Sequence, residues 1–181
     1  MNTDEIISRT RCWLRSVVVA LNFCPFAKRE LERDTIRFVV CDATTLALCV
    51  EKVFEECLHL DSDTSVATTL IIFSQGLRSF DDFLDCADVA DQLLTQQGYD
   101  GIYQLASFHP DYCFADVAED DASNYTNRSP FPMLHLLREA DIEMALKNYP
   151  QPEMIPQRNI EQARSIGLDA MKDKLKRCCD E

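Results

Sequence analysis

The sequence predicts an α/β domain: a small, mainly parallel three-stranded sheet with helices on both faces and two further helices at the C-terminal end. Three observations predict it. Strand-like segments alternate with segments of helical periodicity from residue 36 onward. The stretches between successive strands, residues 42–65 and 74–101, are each long enough to hold a helix, which is what parallel pairing requires. The length of 181 residues, with no internal repeat or low-complexity tract, suits one domain spanning 1–181.

Ile6, Trp13, Leu14, Val17 and Leu21 recur at spacings of three and four and predict an amphipathic helix over residues 3–21, with Arg9, Arg11 and Arg15 on its wet side. Asn22 suits a left-handed exit, and Pro25 suits the first position of a short helix reaching Arg33. Ile36 to Cys41 reads as a strand. Thr44 or Thr45 caps a helix carrying Cys49, Val50, Val53, Phe54 and Cys57 on one side, which ends near Asp61-Ser62-Asp63. Val66 to Phe73 is the strongest strand, and its unbroken apolar character predicts a central position covered on both faces. Ser79 caps an acidic helix through Gln97, and Gly98 to Gly101 turn the chain into a third strand, Ile102 to Phe108.

A long loop follows, residues 109–131, whose length marks function and whose Tyr112, Phe114 and Tyr125 argue against disorder. A helix is expected from Pro132 to Lys147, with Met133, Leu136, Leu137, Ala140 and Met144 toward the core. A proline-broken linker, Tyr149 to Pro156, leads to a last helix over 157–179.

Composition narrows the function. Nine cysteines is an odd number, and Cys12, Cys41, Cys49, Cys57 and Cys86 fall inside apolar periodic segments, so the chain reads as a cytoplasmic protein. The longest apolar run, Ser16 to Phe26, is interrupted by Asn22 and Pro25 and suits neither a signal peptide nor the ~20 residues of a membrane span. A net charge of −13, from 31 acidic and 18 basic residues, repels nucleic acid and anionic lipid, so neither is expected as a partner. With four glycines, Gly76, Gly98, Gly101 and Gly167, neither a dinucleotide fingerprint nor a phosphate loop can be written, and no cofactor is expected.

The stretch NYTNRSPFP holds two glycosylation acceptor patterns, beginning at Asn124 and Asn127, yet a cytosolic chain meets no glycosyl transfer. It reads instead as one wall of a polar pocket. In a parallel sheet, ligands bind beyond the carboxyl ends of the strands. The third strand ends in FHPDY, which brings His109 and Tyr112 to that rim, and the loop returns there with Asn124, Tyr125, Asn127 and Arg128. His135 and Arg138, three apart on the expected helix, would point back toward the loop. Such a donor set suits a carboxylate or phosphate. The plainer reading is a structural network in which the arginines neutralise the acidic run from Asp116 to Asp121, and the asparagines satisfy loop backbone.

Cys24, just before Pro25, would sit at the cap of a short helix whose partial positive charge favours a thiolate. It is a candidate nucleophile, with His109 as acid or base; an inert thiol between Phe23 and Phe26 is the alternative. His109 and Asp111 with a loop aspartate match no specific metal-ligand spacing, and no metal is expected. The leading expectation is an enzyme acting on a small anionic metabolite. The competing ones are a non-catalytic module that docks a protein partner around Phe114, Tyr125 and Phe131, and a thiol-redox protein using Cys24.

The stretches FCPFAKRE, SFHPDYCF and NYTNRSPFPMLHLLRE resemble an uncharacterised family of short bacterial proteins, catalogued as the domain of unknown function numbered fourteen-fifteen. The resemblance runs from the first helix through Leu146. It implies a bacterial cytosolic origin and brings no fold, reaction or cofactor with it.

Overall fold

The computed structural model describes residues 1–147 and 149–180. Four strands form one open sheet: β1 (Ile36–Cys41), β2 (Thr68–Phe73), β3 (Tyr103–Phe108) and β4 (Met133–Arg138), in the order β1-β2-β4-β3. β1 and β2 pair in parallel, with Ile36 opposite Thr68 and Cys41 opposite Phe73. β4 runs antiparallel to both of its neighbours: His135 faces Leu70 on one side and Ala106 on the other. The first three strands therefore point the same way, as the crossover lengths demand. Antiparallel pairing nevertheless dominates the sheet, and the expected three-stranded, mainly parallel arrangement is corrected to a four-stranded mixed one.

The correction lies in the segment expected to be a helix from Pro132 to Lys147. Its first part, MLHLLR, is β4, and only Glu139–Leu146 is helical (α5). Leu and Met are good helix formers, and no side chain caps the start of α5 at Arg138, so nothing local marks the boundary. What decides is position: β4 lies between two strands and is covered on both faces, where an unbroken apolar run is the normal strand pattern.

Helices cover each face of the sheet. On one side lie α1 (Thr3–Trp13), the π-helical turn Leu14–Val19 that continues it, α6 (Ile155–Ile166) and α7 (Leu168–Asp180). Trp13, Val17, Leu70, Ile72, Met133 and Met171 form the core there. On the other side α3 (Leu46–Ser62) and α4 (Phe80–Gln96) enclose Cys49, Val53, Ile71, Phe73, Phe83 and Leu134. β2 sends Leu70 and Ile72 to the first face and Ile71 and Phe73 to the second, and every residue of it is buried, as its sequence predicts.

Caps fix several ends. Asn2 and Glu5 form a reciprocal capping box at α1, each bond 2.9 Å long. Ser79 caps α4 at Asp82 N–H, and Asn22 takes the expected left-handed conformation at φ 53°. The single C-terminal helix expected over 157–179 is broken into α6 and α7 at Gly167, whose φ of 90° lies where residues with a side chain rarely go.

His135 and Arg138 end up apart for the same reason that β4 is a strand. Three residues along a helix brings side chains together, whereas three along a strand puts them on opposite faces. Thr68 gives its hydroxyl proton to Leu136 O at 2.5 Å, so its oxygen accepts from His135 Nε2, 2.6 Å away. Burial pushes the His135 pKa down to about 4. A histidine depressed in this way stabilises the fold fully above its unfolded pKa of ~6.5 and loses that contribution as pH falls from there to about 4. The urea midpoint should therefore drop across that window, and His135→Gln should flatten the drop. A variant profile parallel to that of the parent would take His135 out of this account.

Candidate functional site

The β2–α4 connection, residues 74–79, builds one wall of a cleft. Ser74 closes onto β1, donating its N–H to Cys41 O at 2.9 Å and its hydroxyl to the same oxygen at 3.2 Å. Gly76 passes the β1–α3 connection so closely that a Cβ there would stand 2.5 Å from Ala43 O. Leu77 follows with φ 57°, a conformation costly for a leucine, and its carbonyl is held by His109 Nε2 at 3.1 Å. Arg78 comes next, exposed, immediately before the Ser79 cap of α4.

The opposite wall is the chain entering β4. Pro132 O accepts from Phe73 N–H at 2.9 Å, which lays Pro130, Phe131 and Pro132 alongside the end of β2, and Ser129 Oγ donates to Phe131 O at 2.6 Å. Pro110 and the N-terminal Met1 and Ile6 complete a cleft of about 420 Å³ at the carboxyl end of β2. Most of its lining is apolar. Ser74 and Gln75 are neutral and polar, and Arg78 is the charged side chain among the lining residues. No hydrogen bond or ion pair engages the Arg78 guanidinium among the described residues.

The loop from His109 does return over the end of β3 as the sequence predicts: His109 N–H donates to Asn127 O at 3.2 Å. Its polar side chains, however, are turned inward. Asn124 is wholly buried, accepting from Phe114 N–H at 3.0 Å and donating to Ala118 O and Glu119 O at 2.9 and 3.3 Å. That burial also removes its amide from any glycosylation chemistry on the folded chain. Asn127 donates to Ser107 O at 3.1 Å. Arg128 reaches Tyr112 O at 3.0 Å, Glu119 O at 2.9 Å and the Tyr125 hydroxyl at 3.2 Å, with its guanidinium over the Tyr125 ring. Tyr125 is buried, and Tyr112 packs between Phe80 and Phe114. The donors expected to hold a ligand hold the loop instead, because a long compact connection must satisfy its own carbonyls.

His109 is fully buried against Phe80 and Phe83. Asp111 N–H donates to its Nδ1 at 3.0 Å, so Nε2 carries the proton given to Leu77 O. Burial lowers its pKa and keeps it neutral. It is a positioning residue that ties the segment carrying Arg78 to the long loop. Arg138 lies at the other end of the sheet, beside Tyr103, about 17 Å along β4 from the Met133 end. There it donates to Leu60 O at 2.6 Å and to Asp63 O and Val66 O at 3.2 Å, closing the C-terminus of α3, and it does not join Arg128.

Cys24 is not at a helix cap. The short helix α2 is Ala27–Glu32 with Phe26 at its cap, so Cys24 stands two residues too early. Burial pushes its thiol pKa up, outweighing the backbone bonds from Phe26 and Ala27 that would lower it. Cys24 packs on the Trp13 side of the sheet and His109 on the Phe83 side, so the sheet separates them. No group of three or more His, Cys, Asp or Glu side chains suited to a metal occurs among the described residues. No helix among them is long and apolar enough to cross a membrane.

Ser74, Gln75 and Arg78 escape the sequence reading because the rule that points to strand carboxyl ends is applied there to β3 alone. The same rule applied to β2, the most apolar strand, selects SQGLRS, where one of only four glycines stands.

Fold and cleft together define an α/β protein with an open mixed sheet between two helical layers and a ligand-sized cleft at the strand ends. Within that class the chain belongs to DUF1415, described as a protein of unknown function, whose sequence profile matches residues 5–173. That span runs past Leu146, where the motif resemblance stops, and into α7. No curated protein and no solved structure matches the chain.

Two outcomes follow from this geometry. Asn124→Ala leaves the Phe114 N–H unpaired and takes one of two donors from each of Ala118 O and Glu119 O, and should lower the unfolding free energy by about 1–3 kcal/mol, measured in urea; Asn127→Ala should cost less. Alkylation of Cys24 followed across pH by peptide mass spectrometry should show a midpoint above the ordinary ~8.5, whereas one near 7 would restore it as a nucleophile.

Proposed function

We propose that this chain binds a small anionic metabolite in the cleft beyond the carboxyl end of β2, with Arg78 as its anchoring cation. One observation carries the reading: a guanidinium without a carboxylate partner, in a chain of net charge −13, on the mouth of a cleft. Such a group retains its full capacity for a bidentate anion. The segment that bears it is anchored on both sides, by Ser74 on Cys41 and by Leu77 on His109, so little ordering remains for ligand binding to complete. Ser74 has given its proton away, which leaves the exposed Gln75 amide as the second donor. In its enzymatic form the proposal is a cytosolic enzyme turning over that metabolite, with His109 holding the site in place, since both of its ring nitrogens are engaged.

A docking module centred on Phe114, Tyr125 and Phe131 has less support, because Tyr125 is buried under Arg128 and Phe114 packs edge-on to Tyr112. A thermal-shift screen against small carboxylates and phosphates tests the reading. A ligand at a hundred times its Kd stabilises by about 2.7 kcal/mol, which moves Tm by roughly 5–10 °C for a chain of this size. Arg78→Ala should erase the shift while Arg128→Ala lowers the baseline Tm and retains it. A shift that survives in Arg78→Ala would remove the cleft from consideration.

A further inference from the structure

We infer that the ligand of this cleft is a monocarboxylate with an apolar body, aryl or branched alkyl, an inference that rests on the anion-binding reading above and narrows it. The donor inventory comes first. Phosphate sites collect several backbone N–H groups around three oxygens. Here Pro110, Pro130 and Pro132 contribute walls with no N–H at all. The Phe73 N–H is spent on Pro132 O and the Ser74 N–H on Cys41 O. What remains among the lining side chains is one guanidinium fork and one amide, which matches the two oxygens of a carboxylate.

Charge points the same way. Arg78 is the charged side chain of the lining, and the positive end of the adjacent helix α4 is already met by Asp81 and Asp82 in its first turn. A dianion placed against Arg78 would set two charges against that one side chain, beside these carboxylates. The body of the ligand is set by Phe73, Phe131, Ile6 and the three prolines, whose side chains offer contact area and no partner for a hydroxyl or a second amide. The volume of about 420 Å³ sits near the lower end of the ~300–1,000 Å³ of ligand sites and suits a compact acid.

Isothermal titration of the full chain at pH 7.5 with acetate, phenylacetate, phenyl phosphate and 2-phenylethanol separates these claims. Phenylacetate should bind at least tenfold more tightly than acetate and than phenyl phosphate, and 2-phenylethanol should give no heat of binding. Arg78→Ala should abolish phenylacetate binding. Phe131→Ala should weaken phenylacetate at least tenfold and acetate little; Phe131→Leu, which preserves the wall and the core contact, should fall between parent and Phe131→Ala. Acetate binding as tightly as phenylacetate would overturn the apolar body, and phenyl phosphate binding more tightly would overturn the monocarboxylate, while Arg78-dependent binding in either case leaves the anion site standing. If no anion binds in an Arg78-dependent way, the anion site and this inference fall together.

Discussion

Met133–Arg138 lies between two strands that point the same way and pairs with both, so its backbone polar groups are engaged in the ladders on either side of it. A strand antiparallel to both neighbours must enter the sheet at the end where they leave it. The chain between β3 and β4 consequently has its two ends together at the carboxyl side of the sheet, although it is far longer than an antiparallel connection requires. The folded loop over β3, the cleft at the end of β2 and the placing of His135 and Arg138 all descend from that single pairing.

The loop illustrates how a compact irregular segment is stabilised without regular structure. Its 3₁₀ turn, Ala122–Thr126, is bonded from within by Asn124, and Arg128 gathers two carbonyls and a phenol from separate parts of the loop. Charged donors on carbonyls are each worth roughly 1.5–3 kcal/mol, more than neutral pairs. Trp13 adds a tether from the helical layer, donating to Arg128 O at 3.0 Å, and Arg164 on α6 grips Asp121 at 3.0 Å from outside. Residues that look like a ligand set from sequence are, in the fold, the frame of one wall.

That frame serves the cleft through His109. A neutral imidazole with one nitrogen accepting and the other donating can join two segments only while it stays unprotonated, and its burial keeps it so. It holds Leu77 in a left-handed conformation, and Gly76 permits the backbone approach to Ala43 that precedes it. The local cost of that geometry is offset by fixed neighbours, and the next residue is the exposed arginine. In the anion site proposed above, the acidic field of the rest of the chain would favour a single negative charge over several.

Much of this was legible in advance where a local signal had one physical meaning. Periodicity placed α1, α3 and α4, the unbroken VATTLIIF run placed β2 at the centre, Ser79 announced its cap and Asn22 its left-handed exit. Crossover lengths determined that β1, β2 and β3 share a direction, and the loop after β3 was correctly expected to return to that strand's end. What the chain alone left open was whether MLHLLR would wind or extend, because its apolar residues fit a helical face and a doubly covered strand equally well and only the gap between β2 and β3 distinguishes them. Whether Arg128, Asn124 and Arg138 would face a ligand or their own backbone was likewise decided in three dimensions, since the carbonyls that claim them come from residues 9 to 78 positions away or as near as five, and no spacing along the chain encodes that competition.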